Sequence, residues 1–334
     1  MHKFKFIVIK LKSLFLPGII CLFLLFLLLY SKNNLEAAKS GLLLWANSIL
    51  PSLLPFFIAT ELLGYTNIVS FLGRLLNKLM RPFFNVPGEG AFALIMGIIS
   101  GYPVGAKIVA NLKAQKLCTD IEAERLIAFT NNSGPLFIIG TVGVGLFSNA
   151  SLGLLMFFCH ILACLTVGFI FRWWGISKEQ KKRTSDYVLN PPTLSFCNLG
   201  EVLSKSIINS INTILMIGGF VVLFSIIISI FKTSNVLNLF ANILSFVGIP
   251  EHFTLSLISG FIEVTNGILY VSSLNFCSIK FKLILSSFIL GFGGFSVLLQ
   301  VLSITSKAKI PIKPYFIGKL LQAFFSAFYM FLII

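Results

Sequence analysis

Glu263 stands in the apolar stretch ISGFIEVTNGILYV, residues 258–271. A carboxylate at bilayer depth costs at least about 2.5 kcal/mol unless it faces a cavity or a partner. It therefore reads as the binding group for a coupling ion, either a proton or sodium, or for a donor on the cargo, with Thr265 and Asn266 beside it. A neighbouring lysine that merely neutralises it is the competing explanation. Glu61, near the end of the apolar run that holds Pro51 and Pro55, is a second ion or proton candidate unless it only reaches the membrane interface. Lys107 follows Gly101-Tyr-Pro-Val-Gly105. An ammonium facing such a helix break attracts a carboxylate or phosphate, and one that does not face it reaches for headgroups. Asn131, Asn132, Ser133 and Gly134 form the most polar interruption, and Pro135 starts a new helix whose free N–H groups make a ready anion site. Gly291, Gly293 and Gly294 permit close backbone approach, and Ser296 and Gln300 are the polar side chains that follow.

Other chemistries find no residues. The six cysteines form no C-x-x-C pair and the three histidines have no metal-ligand spacing, so neither a metal nor another cofactor is expected. There is no G-x-S-x-G, Walker A or G-x-G-x-x-G string, which argues against an enzyme or an ATP-driven pump. The formal net charge of +15 comes from 26 Lys and Arg against 11 Asp and Glu, clustered in short segments beside apolar runs. That is the pattern of loops held on the cytoplasmic face, and no basic domain is present to grip nucleic acid.

The elements that must carry these groups are membrane helices. Of the 334 residues, 57% are apolar and only 11% charged, more apolar surface than one core can bury, so the bilayer itself is a partner. Helix-length apolar runs occupy 14–30, 42–63, 150–174, 206–231 and 312–334. Between them lie four interrupted stretches, 90–111, 126–147, 253–274 and 283–304, with shorter amphipathic pieces at 67–84 and 235–247. Placing the N-terminus, Arg74/Lys78/Arg81 and KEQKKR (178–183) in the cytoplasm requires that one stretch of each interrupted pair be re-entrant. The count is about seven spans and two re-entrant hairpins, with Lys280 and Lys282 outside. The chain divides into an N-terminal helix and tail (1–40), a first repeat with its following span (41–174), a cytoplasmic-type linker (175–203) and a second repeat with a C-terminal span (204–334).

Both halves show a helix, an amphipathic piece, a Pro-marked turn (Pro87, Pro250), a Ser-Gly break (Ser100-Gly101, Ser259-Gly260) and a second break. An odd number of spans separates their starts, so they point oppositely. The expected fold is an all-α polytopic membrane protein of two inverted repeats with broken helices and re-entrant hairpins, the pattern of secondary transporters. Open backbone in lipid costs several kcal/mol per unsatisfied group, so breaks survive where protein, ions or water meet them. Kinks between packed helices are the plainer explanation for any single break.

The strings PSLLPFF (51–57), SGYPVGAK (100–107), NNSGPLFIIGTVG (131–143), EVTNG (263–267) and GFGGFSVLLQ (291–300) resemble the YlbJ-type sporulation integral membrane proteins. That family lies in the nucleoside-recognition (Gate) group and is similar to concentrative nucleoside transporters. The resemblance implies a protein of the outer forespore membrane that moves dipicolinic acid, a small dicarboxylate, towards the developing spore. Nucleoside or other small-anion transport at the plasma membrane, and a non-transporting scaffold of the spore envelope, remain alternatives. Oligomeric state, coupling ion, transport direction and the need for a partner protein are left open.

Overall fold

The computed structural model describes residues 2–176, 198–237, 239, 242, 251–274 and 277–334. The expected KEQKKR segment, most of the 235–247 amphipathic piece and the Pro250 turn lie outside them. The described residues are helical, with no strand among them.

The first half comprises α1 (His2–Leu29), α2 (Ser31–Leu44), α3 (Leu50–Gly64), α4 (Ile68–Phe84), α5 (Gly90–Ile99), α6 (Val104–Ala114), α7 (Asp120–Thr130) and α8 (Ala150–Phe171). A π-helical turn, Trp45–Ile49, joins α2 to α3 and a longer π-helix, Leu136–Leu146, follows α7. The second half comprises α9 (Leu199–Thr233), α10 (Glu251–Ile262), α11 (Val264–Ser272), α12 (Ile279–Phe292), α13 (Gly294–Lys307) and α14 (Lys313–Ile333).

All four expected interruptions are present. Helices end at Ile99, Thr130, Ile262 and Phe292 and resume at Val104, Leu136, Val264 and Gly294. The local causes differ. Gly101, Gly293 and Gly294 take left-handed φ of 80°, 81° and 83°, open to glycine without strain. Asn131 and Glu263 are extended, with ψ of 96° and 124°.

Two pairs of half-helices lie side by side. A methyl group on Gly97 of α5 would stand 3.3 Å from Gly105 Cα of α6, and one on Gly267 of α11 would collide with Gly260 of α10. Small residues let the backbones touch, as in membrane helix interfaces generally. The remaining half-helices, α7 with the Leu136–Leu146 π-helix and α12 with α13, cross beside them, and α14 packs against α12, α8 and α7.

Among the described residues four stretches are long and apolar enough to cross a bilayer, and six if each of two sharply bent pairs counts once, against the expected seven. The α7–π-helix stretch is one reason, since Asp120, Glu122, Glu124 and Arg125 make its first turns polar. The bends measure 98° between Leu29 and Ser31 and 84° between Gly64 and Ile68. After the second bend α4 presents Phe71, Leu75, Leu79 and Phe83 as an exposed apolar stripe while Gly73 and Met80 face inward, the amphipathic piece expected there.

Candidate functional site

The four interruptions converge. A cavity of about 70 Å³ is lined by Gly101 and Tyr102 from the first break, Gly134 from the second, Glu263, Val264 and Thr265 from the third, and Ser296, Val297 and Gln300 after the fourth. Leu53 of α3 and Ile217 and Val221 of α9 close it. Glu263 caps α11 and Ser296 lies in the first turn of α13, whereas Gly101 stands between the end of α5 and the start of α6, and Gly134 just before the second π-helix. The cavity faces the N-terminal, positive ends of α11 and α13 and adjoins the breaks that precede α6 and the second π-helix.

Among the described residues, two of these helix starts meet a side-chain acceptor: Glu263 caps α11 and Asn131 takes the Ala106 N–H in the first turn of α6. Glu263 accepts the N–H of Thr265 on Oε1 (3.0 Å) and the N–H of Asn266 on Oε2 (2.9 Å), and the Asn266 amide also donates to Oε2 (2.9 Å). The carboxylate is 4% exposed, and its charge is met by a helix start, so the neighbouring-lysine explanation does not hold. The starts of the π-helix and α13 carry no side-chain cap from their N-cap residues. Gly293 and Gly294 shape the last of these, where a methyl on Gly294 would press within 3.3 Å of Gly260 O, Ile262 O and Val264 N.

Behind the cavity the second break is locked by hydrogen bonds. Asn131 accepts from the Ala106 N–H (3.4 Å) and donates to the Tyr315 hydroxyl (3.3 Å). Asn132 donates to Phe129 O (2.8 Å) and accepts from Gln322 Nε2 (2.8 Å). The Ser133 N–H donates to His160 Nε2 (3.3 Å). These asparagines are fully buried and hold the break open; they do not line the cavity.

Lys107 and Glu61 belong to a second cavity of about 440 Å³, together with Thr60, Asn111, Gln115, Asn209 and Thr213. They form an ion pair, Lys107 also donates to Thr213 Oγ1 (3.2 Å), and Asn209 donates to Glu61 (3.3 Å). Lys107 is thus a paired cation between α3, α6 and α9, one turn outside the break. The two cavities are walled by neighbouring parts of the same elements. Thr60 and Leu53 on α3, Thr213 and Ile217 on α9, and Lys107 and Gly101 at α6 each pass from the larger to the smaller. The larger volume lies in the range of small-molecule sites, whereas the smaller holds a few waters at most.

The sequence singled out Glu263, Thr265, Gly134, Ser296 and Gln300, which meet in one cavity, and Lys107 with Glu61, which meet in the other. It missed Tyr102, Thr213, Asn209 and the buried α14 residues Tyr315, Lys319 and Gln322. Tyr102 lies inside a break and was legible; Lys319 in an uninterrupted helix resembles any lysine that reaches for headgroups.

Residues 46–172 match the nucleoside-recognition (Gate) family. Sporulation integral membrane protein YlbJ of Bacillus subtilis (strain 168) is 41% identical over 320 residues, which cover 91% of this chain and 78% of that protein. The chain belongs to the YlbJ family. This YlbJ-family member is an integral, multi-pass membrane protein, by its relative and by its apolar helices. No solved structure matches it.

Proposed function

We propose that this YlbJ-family protein is a non-enzymatic, secondary-type transporter of sporulation that moves dipicolinate, a small dicarboxylate, across the outer forespore membrane. The observation that carries the reading is the convergence of four helix breaks on one cavity, with the starts of the second π-helix and α13 left without a side-chain cap. Positive helix ends with free N–H groups favour an anion. Glu263 balances one end, and the net field still favours negative charge. The smaller cavity is closed around less than a cargo's volume, and the larger one is the entry vestibule. Lys107 offers the cargo a cation there by exchanging Glu61 for a carboxylate of the ligand.

In this reading the α5/α6 and α10/α11 pairs are re-entrant hairpins that enter from opposite faces. The supporting contacts are at their ends. Lys113 at the end of α6 pairs with Asp120 and donates to Lys309 O, near Arg81–Glu122 and Arg125–Trp174 O. At the other end, Lys282 donates to Ser272 O at the close of α11. The two repeats are then inverted, and the vestibule, which reaches Gln115, opens at the basic, cytoplasmic end.

Purified protein in vesicles tests the cargo. Labelled dipicolinate should enter above the level of empty vesicles and be displaced by unlabelled dipicolinate. Uptake of a nucleoside instead would move the protein to the cargo class its Gate family describes. Transport of neither would reject the carrier reading.

A further inference from the structure

Lys319 of α14 is 2% exposed, yet no carboxylate pairs with it among the described residues. Its Nζ donates to Gln322 Oε1 at 2.8 Å and lies 5.9 Å from the centre of the Tyr315 ring. Gln322 Nε2 continues to Asn132 Oδ1 at 2.8 Å and approaches His160 Nε2 at 3.3 Å, the same nitrogen that accepts the Ser133 N–H. His160 Nδ1 is buried with no partner. Gly318 brings α14 so near α7 that a methyl there would stand 2.9 Å from Ala128 Cα. A buried amine is thereby tied through Gln322 to the Asn132 side chain and, by way of His160, to the Ser133 N–H of the second break.

The groups around it do not supply a counter-charge. From α8 come His160 and Cys164, and from α14 itself Tyr315. On α7, Glu122 is bound to Arg81 and Thr119, and Arg125 to Trp174 O and Asn85 O. On α12, Lys280 lies over Phe331 and Lys282 bonds Ser272 O, both towards the far end of α14. An ammonium enclosed in this way is expensive, and such groups inside membranes mark ion and proton pathways. The donors are an amine, an imidazole and amides, with no cage of oxygens such as a hard metal ion requires. Sodium does not fit.

We infer that Lys319 is the proton-coupling site of the transporter: its amine takes up a proton at Nζ from one side and releases it to water on the other, and Gln322 and His160 pass its state to the Asn131–Gly134 break. The inference rests on the transport reading above and adds the coupling ion to it. In the balanced step, amine plus proton gives ammonium, and the reverse step returns the proton with no other bond made or broken.

Full-length wild type, Lys319→Gln and Lys319→Arg in vesicles separate the possibilities. Exchange of labelled for unlabelled dipicolinate needs no net proton movement, whereas accumulation against a gradient under an imposed pH difference does. Lys319→Gln should keep exchange and lose accumulation to the level of empty vesicles. Lys319→Arg should do the same, because a guanidinium does not release its proton. Accumulation by either variant at the wild-type level would overturn the assignment, as would loss of exchange in a variant that melts like wild type. If wild type itself exchanges no dipicolinate, the cargo proposal fails and a cargo-free measurement decides the proton site. The melting temperature of wild type should vary from acid to alkaline pH in a way that Lys319→Met abolishes; parallel curves would exclude Lys319 as an exchanging site.

Discussion

Glu263 serves its helix and its cavity at once, and two substitutions pull these roles apart. Glu263→Ala removes the acceptor for the Thr265 and Asn266 N–H groups, and loss of a helix cap costs about 0.5–2 kcal/mol, so its melting temperature in detergent should fall. Glu263→Gln keeps an acceptor oxygen but removes the charge, leaving the positive end of α11 uncovered. It should fold normally, bind the dicarboxylate more tightly and release it more slowly, giving a lower KM and a lower kcat; a raised KM would contradict the balancing role. In the vestibule, Glu61→Gln frees Lys107 and should lower KM, while Lys107→Met should raise it. The Lys107–Glu61 pair is partly open to solvent, with 27% and 17% of the two side chains exposed, and contributes at most about 1 kcal/mol to stability, so kinetics will report on it better than melting. A spore-envelope scaffold predicts that Glu263→Gln and Lys107→Met leave dipicolinate accumulation intact. At this scale the sequence revealed charges but not their partners, because Lys107 meets Glu61, and Gln322 beside Lys319 meets Asn132, only after the helices pack.

The interrupted helices were the most legible elements, since Gly, Pro and Asn inside apolar runs strand backbone groups that something must satisfy. What the pattern did not reveal was which stretches fold back. The proposed hairpins rest on Gly97 against Gly105 and Gly260 against Gly267, pairs whose meaning lies in contact between neighbouring half-helices. Gly294 tests whether the breaks are built or incidental. Its φ is +83° and a methyl would meet three backbone atoms at 3.3 Å, so Gly294→Ala should cost at least about 1–2 kcal/mol and lower the melting temperature. Gly219 in the middle of α9 has nothing within 4 Å of an added methyl. Gly219→Ala should leave stability unchanged or raise it by up to about 1 kcal/mol, as glycine is a poor helix former. If the two substitutions have equal effects on melting, the fourth break is a tolerant kink and the cavity it helps to wall loses its structural basis.

For the molecule as a whole, the charge count anticipated an arrangement that the contacts allow to be tested. Lys113, Asp120, Arg81, Glu122 and the Lys309 carbonyl gather at one end, where α6 finishes and α7 begins. Ser272 and Lys282 meet at the opposite end, where α11 finishes and α12 begins. The α12–α13 stretch joins these ends, running from Ile279 through its break to Lys307, with length and apolarity for a crossing. In the proposed arrangement, a hairpin rooted at each end and meeting the other across the smaller cavity would make that cavity reachable from either face, never from both if one hairpin is always closed. Single cysteines placed at the exposed positions Lys116 and Ser306, in a chain cleared of its native cysteines, should react with an impermeant maleimide from the cytoplasmic face. A cysteine at exposed Ser278 should react only from the other face. Labelling of Ser278→Cys and Lys116→Cys from the same face would put both hairpins on one side of the membrane. The cavity would then have a single entrance, and convergence of four helix breaks would describe a binding pocket with no route through.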